Sequence, residues 1–200
     1  MECDRSDILV KTQISDVTGV DTGDIGLEVS VFYEPIPGDE EKTEWSDGKI
    51  IKAGDYLGEM PMKNPEPISG GTGFNDAVDI TEGTYSDNII PGEFRFYKIP
   101  VAYGQRPVVK VKTPESVARN ADSLGFGIYD PMRNELVRKP LNFFMDAAES
   151  DAETLSQYVW HDTSTPYQGE YYIWVGMGWV HEGYDITGVE QPFELSLIHI

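Results

Sequence analysis

The feature that most constrains this chain is a two-residue rhythm that starts and stops. Phe94-Arg95-Phe96-Tyr97-Lys98-Ile99 alternates and then meets Pro100. Val108-Val109-Lys110-Val111-Lys112 stops at Thr113-Pro114, and Leu124-Gly125-Phe126-Gly127-Ile128-Tyr129 stops at Asp130-Pro131. Tyr171-Tyr172-Ile173-Trp174-Val175 follows Gln168-Gly169, and both Leu27-Glu28-Val29-Ser30-Val31 and Phe193-Glu194-Leu195-Ser196-Leu197 alternate strictly. Successive side chains of a strand point to opposite faces, so such runs are half-buried strands punctuated by turns. The pattern predicts an all-β, antiparallel chain, most simply a sandwich. With 40% hydrophobic and 12% aromatic residues, the chain has the material for a core. The expected core is Phe94, Phe96, Ile99, Val109, Val111, Phe126, Ile128, Tyr172, Trp174, Phe193 and Leu195.

One short helix is expected within Asp146–Gln157, where Ser150 and Glu153 have capping-box spacing. Residues 35–71 read as a linker or strap, rich in proline, glycine and acid, pinned to a sheet by Trp45, Ile50, Ile51, Tyr56 and Leu57. Gly70-Gly71-Thr72-Gly73 reads as a flexible joint, since no helix follows to make it a phosphate cradle.

Charge narrows the function. Fifteen Lys and Arg stand against 35 Asp and Glu, a net charge of −20. Such a surface neutralises no phosphate backbone and is repelled by anionic lipid. Cys3 is the one cysteine, so neither an intrachain disulfide nor a cysteine zinc site is expected. No apolar run is long enough to span a bilayer, and MECDRSDILV does not read as a signal peptide.

Asp16-Val17-Thr18-Gly19-Val20-Asp21 recurs as Asp185-Ile186-Thr187-Gly188-Val189-Glu190, and each copy is followed by a matching strand. Residues 1–34 are therefore expected to be the terminal hairpin of a preceding, similar module, with 72–197 a complete second one. Ser196-Leu197-Ile198-His199-Ile200 either completes a strand or, over 198–200, is a sequence artefact resembling translated adapter read-through.

From Asn75 onward the motif order is distinctive. Asn75-Asp76-Ala77, Gly83-Thr84-Tyr85, Pro91-Gly92-Glu93-Phe94, Gly104-Gln105, Leu124-Gly125-Phe126-Gly127-Ile128-Tyr129-Asp130-Pro131 and Gly169-Glu170-Tyr171-Tyr172-Ile173-Trp174-Val175 follow one another. This resembles the bacterial pre-peptidase C-terminal domain, a jelly-roll-like β-sandwich appended to secreted proteins, which implies a jelly-roll-like fold here. The opening Gly70–Ala77 and the run from Gly92 to Gln105 also look like the non-catalytic region of envelope proteins that carry a von Willebrand factor A domain. Glu93 and Arg95 stand where the family often has Asp-x-Asp, which argues against a metal there. The resemblance implies an extracellular or cell-surface location and a non-catalytic accessory, adhesion or spacer role. Its partners would be cell-wall glycan or neighbouring envelope domains.

No Gly-x-Ser-x-Gly elbow accompanies His161, His181 or His199, so no hydrolase triad is expected and no catalytic residue is assigned. His161-Asp162 and His181-Glu182, with Asp185, lack metal-ligand spacing. The candidate calcium ligands are Asp21, Asp24 and Glu28, or Asp39, Glu40, Glu41 and Glu44, but no EF-hand loop is present and a solvated acidic face is the plainer reading. The alternative function is carbohydrate binding on an aromatic surface near Trp174 and Trp179, with Tyr171, Glu170 and Glu182 as ligand-binding candidates.

Overall fold

The computed structural model describes residues 28, 29, 31, 64–102, 107–113, 124–140, 148–151, 168–178 and 188–199. The chain divides into two units, Met1–Val31 and Phe32–Ile200. Of the first, the described Glu28, Val29 and Val31 are exposed. The rest of the expected 1–34 hairpin lies outside the described residues, as does most of the 35–71 strap.

The described residues of the second unit are all-β. Its strands are β1 (Glu66–Pro67), β2 (Val78–Asp79), β3 (Gly83–Ile89), β4 (Phe94–Val101), β5 (Pro107–Thr113), β6 (Leu124–Tyr129), β7 (Glu135–Pro140), β8 (Ala148–Asp151), β9 (Gly169–Met177) and β10 (Gln191–His199). They form two five-stranded sheets, sheet A in the order β1-β3-β10-β5-β8 and sheet B in the order β2-β4-β9-β6-β7. The sandwich is thus as expected, but each sheet is mixed. The short strands β1 and β2 lie parallel to β3 and β4, while every other pair is antiparallel.

Two expectations are corrected. No helix occurs among the described residues, and Ala148–Asp151, placed in the expected helix, pairs with β5 from Thr113 to Lys110. A short acidic stretch cannot sustain an isolated helix, whereas the edge of β5 offers it a complete ladder. The second correction concerns strand faces. The core between the sheets takes Tyr97, Ile99 and Val101 from β4 and Tyr171, Ile173, Val175 and Met177 from β9. Phe94 and Phe96 belong to the opposite face of β4, and Phe94 is 50% exposed. Tyr172 and Trp174 are buried, as expected, but outside this intersheet cluster. The remaining expected positions, Ile99, Val109, Val111, Phe126, Ile128, Phe193 and Leu195, all lie in it.

At the C-terminal end Leu197 is fully buried, and Ile198 and His199 pair with Val108 and Pro107 of β5. Ahead of β10, the glycine of the second repeat copy, Gly188, has φ 74°, a left-handed conformation that suits glycine.

Candidate functional site

The outer face of sheet B is built by alternation. Cross-strand register places Phe94 beside Gly176 and Gly176 beside Gly125; the next row is Phe96, Trp174 and Gly127. A third row is Lys98, Tyr172 and Tyr129. Arg138 of β7 pairs with Gly127 and extends the second row. Large rings therefore stand beside three glycines, and a trough opens over two of them, Gly125 and Gly176. The resulting groove holds about 530 Å³, within the ~300–1,000 Å³ of small-ligand sites. Phe94, Phe96, Tyr129 and Trp174 wall it, Gly125 and Gly176 line its floor, and Arg138 stands on the β7 side.

The walls brace each other. Phe94 meets Trp174 edge-on at 5.6 Å between ring centroids and Phe96 at 6.4 Å. A Cβ on Gly176 would sit 2.6 Å from the Phe94 ring and 2.9 Å from the Trp174 ring, so both rings depend on that glycine. The Arg138 guanidinium lies 5.7 Å from the Trp174 ring centroid, and its Nε donates to Glu135 at 2.8 Å. That carboxylate holds Arg138 in its charged form, above the ordinary guanidinium value. The Trp174 Nε1–H is buried and has no hydrogen-bond partner among the described residues.

A second aromatic group adjoins the groove through Phe96. Phe74 packs on Phe96, Tyr129 and Tyr172 at 5.0, 5.0 and 5.1 Å. Arg133 lies 4.8 Å over Phe74 and donates to Asn75 Oδ1 at 3.0 Å. The turn after β6 aims it. Asp130 accepts from the Asn134 backbone N–H at 2.8 Å and from its side-chain amide at 2.9 Å, and Arg133 adopts φ 63°.

The site residues expected from sequence are only partly brought together. Tyr171 lies in the intersheet core at 2% exposure, so it meets no surface ligand, and burial pushes its hydroxyl pKa up. Glu170 is on the outer face but is 58% exposed, pairs with Lys98 at 3.6 Å, and does not line the groove. Trp179 and Glu182 lie outside the described residues, as do His161, His181, Asp162, Asp185 and the acidic calcium candidates other than exposed Glu28. Among the described residues no group of three or more His, Cys, Asp or Glu is placed to hold a metal ion. Glu93 and Arg95 pair with each other at 2.9 Å. Phe94, Arg138 and the glycine floor were not foreseen. The available signal was Gly125 inside β6, since a glycine within a strand marks a close approach.

No family model matches the sequence, and no curated protein does. In structure the chain is similar to the pre-peptidase C-terminal domain of a collagenase from Bacillus anthracis, at 16% identity over 68% of this chain and 98% of that one, with a TM-score of 0.38. It is also similar to a periplasmic inhibitor of g-type lysozyme from Aeromonas hydrophila, at 13% identity over 62% of this chain and 95% of that one, with a TM-score of 0.35. The likeness to envelope proteins with a von Willebrand factor A domain gains no support from these comparisons.

Proposed function

We propose that this chain is a non-catalytic binding module of a secreted or cell-surface bacterial protein, and that it meets its ligand on the aromatic outer face of sheet B. The groove carries the reading: four rings and an arginine gathered over a glycine floor, with Phe94 half exposed at its wall. An exposed ring such as Phe94 adds nothing to the intersheet core and is free to contact a ligand. The acidic surface suits an exposed, solvated location. A binding role rather than an enzymatic one is favoured because Glu170, the carboxylate on this face proposed from sequence, is tied to Lys98 away from the groove.

The test is retention on a panel of immobilised probes, bacterial cell wall, soluble glycans and extended peptides, for the wild type and Phe94→Ala. Saturable retention by at least one probe, lost in the variant, is expected. Retention by none of them, or retention indifferent to Phe94, overturns the reading. So does turnover in a broad hydrolase screen.

A further inference from the structure

We propose that residues 27–31 are a second copy of β10, and that their partner is a β-sandwich module of this same fold whose place between its β3 and β5 strands is open. Leu27-Glu28-Val29-Ser30-Val31 and Phe193-Glu194-Leu195-Ser196-Leu197 share their Glu and Ser and keep apolar residues at the other three positions. The same hexapeptide pattern precedes each, at 16–21 and 185–190. In the second copy this pattern forms β10, the middle strand of sheet A, hydrogen-bonded to β3 on one side and β5 on the other. Phe193, Leu195 and Leu197 enter the intersheet core at 1, 1 and 0% exposure. Glu194 lies opposite Lys112, and Ser196 lies opposite Lys110 and Thr84, whose hydroxyl donates to it at 3.4 Å.

In the first copy, Val29 and Val31 stand at the positions of Leu195 and Leu197, yet they are 54% and 62% exposed. Strict alternation gives a strand one face suited to burial. The first copy therefore presents a β10-type face that is left in solvent. In this chain's own sandwich β10 holds the place. It is tethered there, and Phe193, Leu195 and Leu197 are each larger than Leu27, Val29 and Val31, so they bury more apolar surface. The exposed copy fits a module that lacks its last strand. Main-chain pairing on both sides supplies affinity, and alternate side chains entering the core supply register, as in other strand additions. The acceptor place is in sheet A, so failure here leaves the binding-face reading of sheet B untouched.

The experiment uses two full chains and follows anisotropy. The donor is the wild type, fluorescently labelled at Cys3, its one cysteine. The acceptor carries Leu195→Asp, which expels β10 from the core, together with Glu28→Val and Val29→Glu, which invert the alternation of its own first copy. Saturable binding is expected. It should weaken about tenfold or more when the acceptor is unlabelled wild type, whose β10 is in place. It should weaken as much when the donor carries Glu28→Val and Val29→Glu, which keep its composition and charge and change only which face is apolar. No binding, or binding indifferent to either change, overturns the proposal. A second variant needs no acceptor. Phe193→Leu, Leu195→Val and Leu197→Val together write the first copy into β10 of the full chain. That chain should still melt cooperatively, at a lower temperature than the wild type because its core side chains are smaller. Loss of the cooperative melt overturns the proposal, since residues 27–31 would then not fit between β3 and β5.

Discussion

Asp76 shows how one side chain turns a glycine-rich stretch into a fixed corner. Its carboxylate accepts from the Thr72 backbone N–H at 2.9 Å, the Thr72 hydroxyl at 2.8 Å and the Gly73 N–H at 2.7 Å. Gly71 exchanges both backbone hydrogen bonds with Phe96, and a Cβ there would lie 2.1 Å from the Asp76 carbonyl oxygen. The stretch that reads as a flexible joint is therefore a tight turn, and its amides hold an internal carboxylate. The Thr72 N–H, then the Thr72 hydroxyl and the Gly73 N–H, hold the Asp76 pKa below its ordinary value, which is ~3.9 in the unfolded chain. With the folded value depressed, the stabilisation is fully present above ~3.9 and is lost as pH falls through the folded value. Asp76→Asn should flatten that part of the acid decline in Tm. Melts of both proteins from pH 6 to pH 2 decide it, and parallel curves would refute it. Nearby, Asp87 joins the sheets by accepting from the Tyr97 hydroxyl at 2.6 Å and the Gly70 N–H at 2.8 Å. Burial, and then the Asp87 carboxylate, push the Tyr97 pKa up, so it remains the donor throughout the working pH range. Tyr97→Phe should cost ~1–3 kcal/mol in urea denaturation, since it leaves a mostly buried carboxylate short of a donor. A loss under ~0.5 kcal/mol would show that the remaining partners suffice.

At the scale of elements, β9 explains both what the sequence revealed and what it hid. Tyr171-Tyr172-Ile173-Trp174-Val175 is plainly a strand, and Tyr171 through Met177 are all buried. A strand that is apolar on both faces has no parity to read, so its inward side is set by the neighbours. β4 has the same ambiguity, because Phe94 and Phe96 are as hydrophobic as Tyr97 and Ile99. Polar alternation breaks the tie in β5, and the inward positions Val109 and Val111 follow from Lys110 and Lys112 facing away. The site was legible only at Trp174, offered with Trp179 as an aromatic surface, and Phe94 and Phe96 were hidden for the same reason, since both were assigned to the core. The energetic consequence reverses the expected ranking. Ile173, fully buried among core residues, should cost ~2–5 kcal/mol as Ile173→Ala. Phe94→Ala should cost about 1 kcal/mol, mostly its contacts with Phe96 and Trp174. Denaturant midpoints of the two variants check this, and a larger loss at Phe94 would return that residue to the core.

Across the whole molecule, charge and packing pull against each other. A net charge of −20 makes the compact state self-repelling. Among the described residues, several local pairs relieve this at the surface. Lys98 lies between Asp79 at 3.3 Å and Glu170 at 3.6 Å, and Arg138 binds Glu135. Exposed pairs of this kind contribute little, with a median near 0–1 kcal/mol. Fifteen cations cannot offset 35 anions, so most of the acidic surplus is felt at long range. Composition alone shows that surplus, but not that the described residues lining the groove include no acid. That distribution comes from β-sheet register, which sets glycines and rings on the outer face of sheet B. Salt separates the two scales. The screening length shortens from ~30 Å at 0.01 M to ~3 Å at 1 M, removing long-range repulsion while leaving buried packing intact. Tm should therefore rise between 10 mM and 500 mM sodium chloride. Each kcal/mol of relieved repulsion should raise Tm by ~2–4 °C for a domain of this size. Calorimetry at fixed pH measures it, with chloride rather than sulfate so that solute exclusion does not mimic screening. A Tm that falls with salt would mean that the surface pairs, not the net charge, dominate the electrostatics of folding.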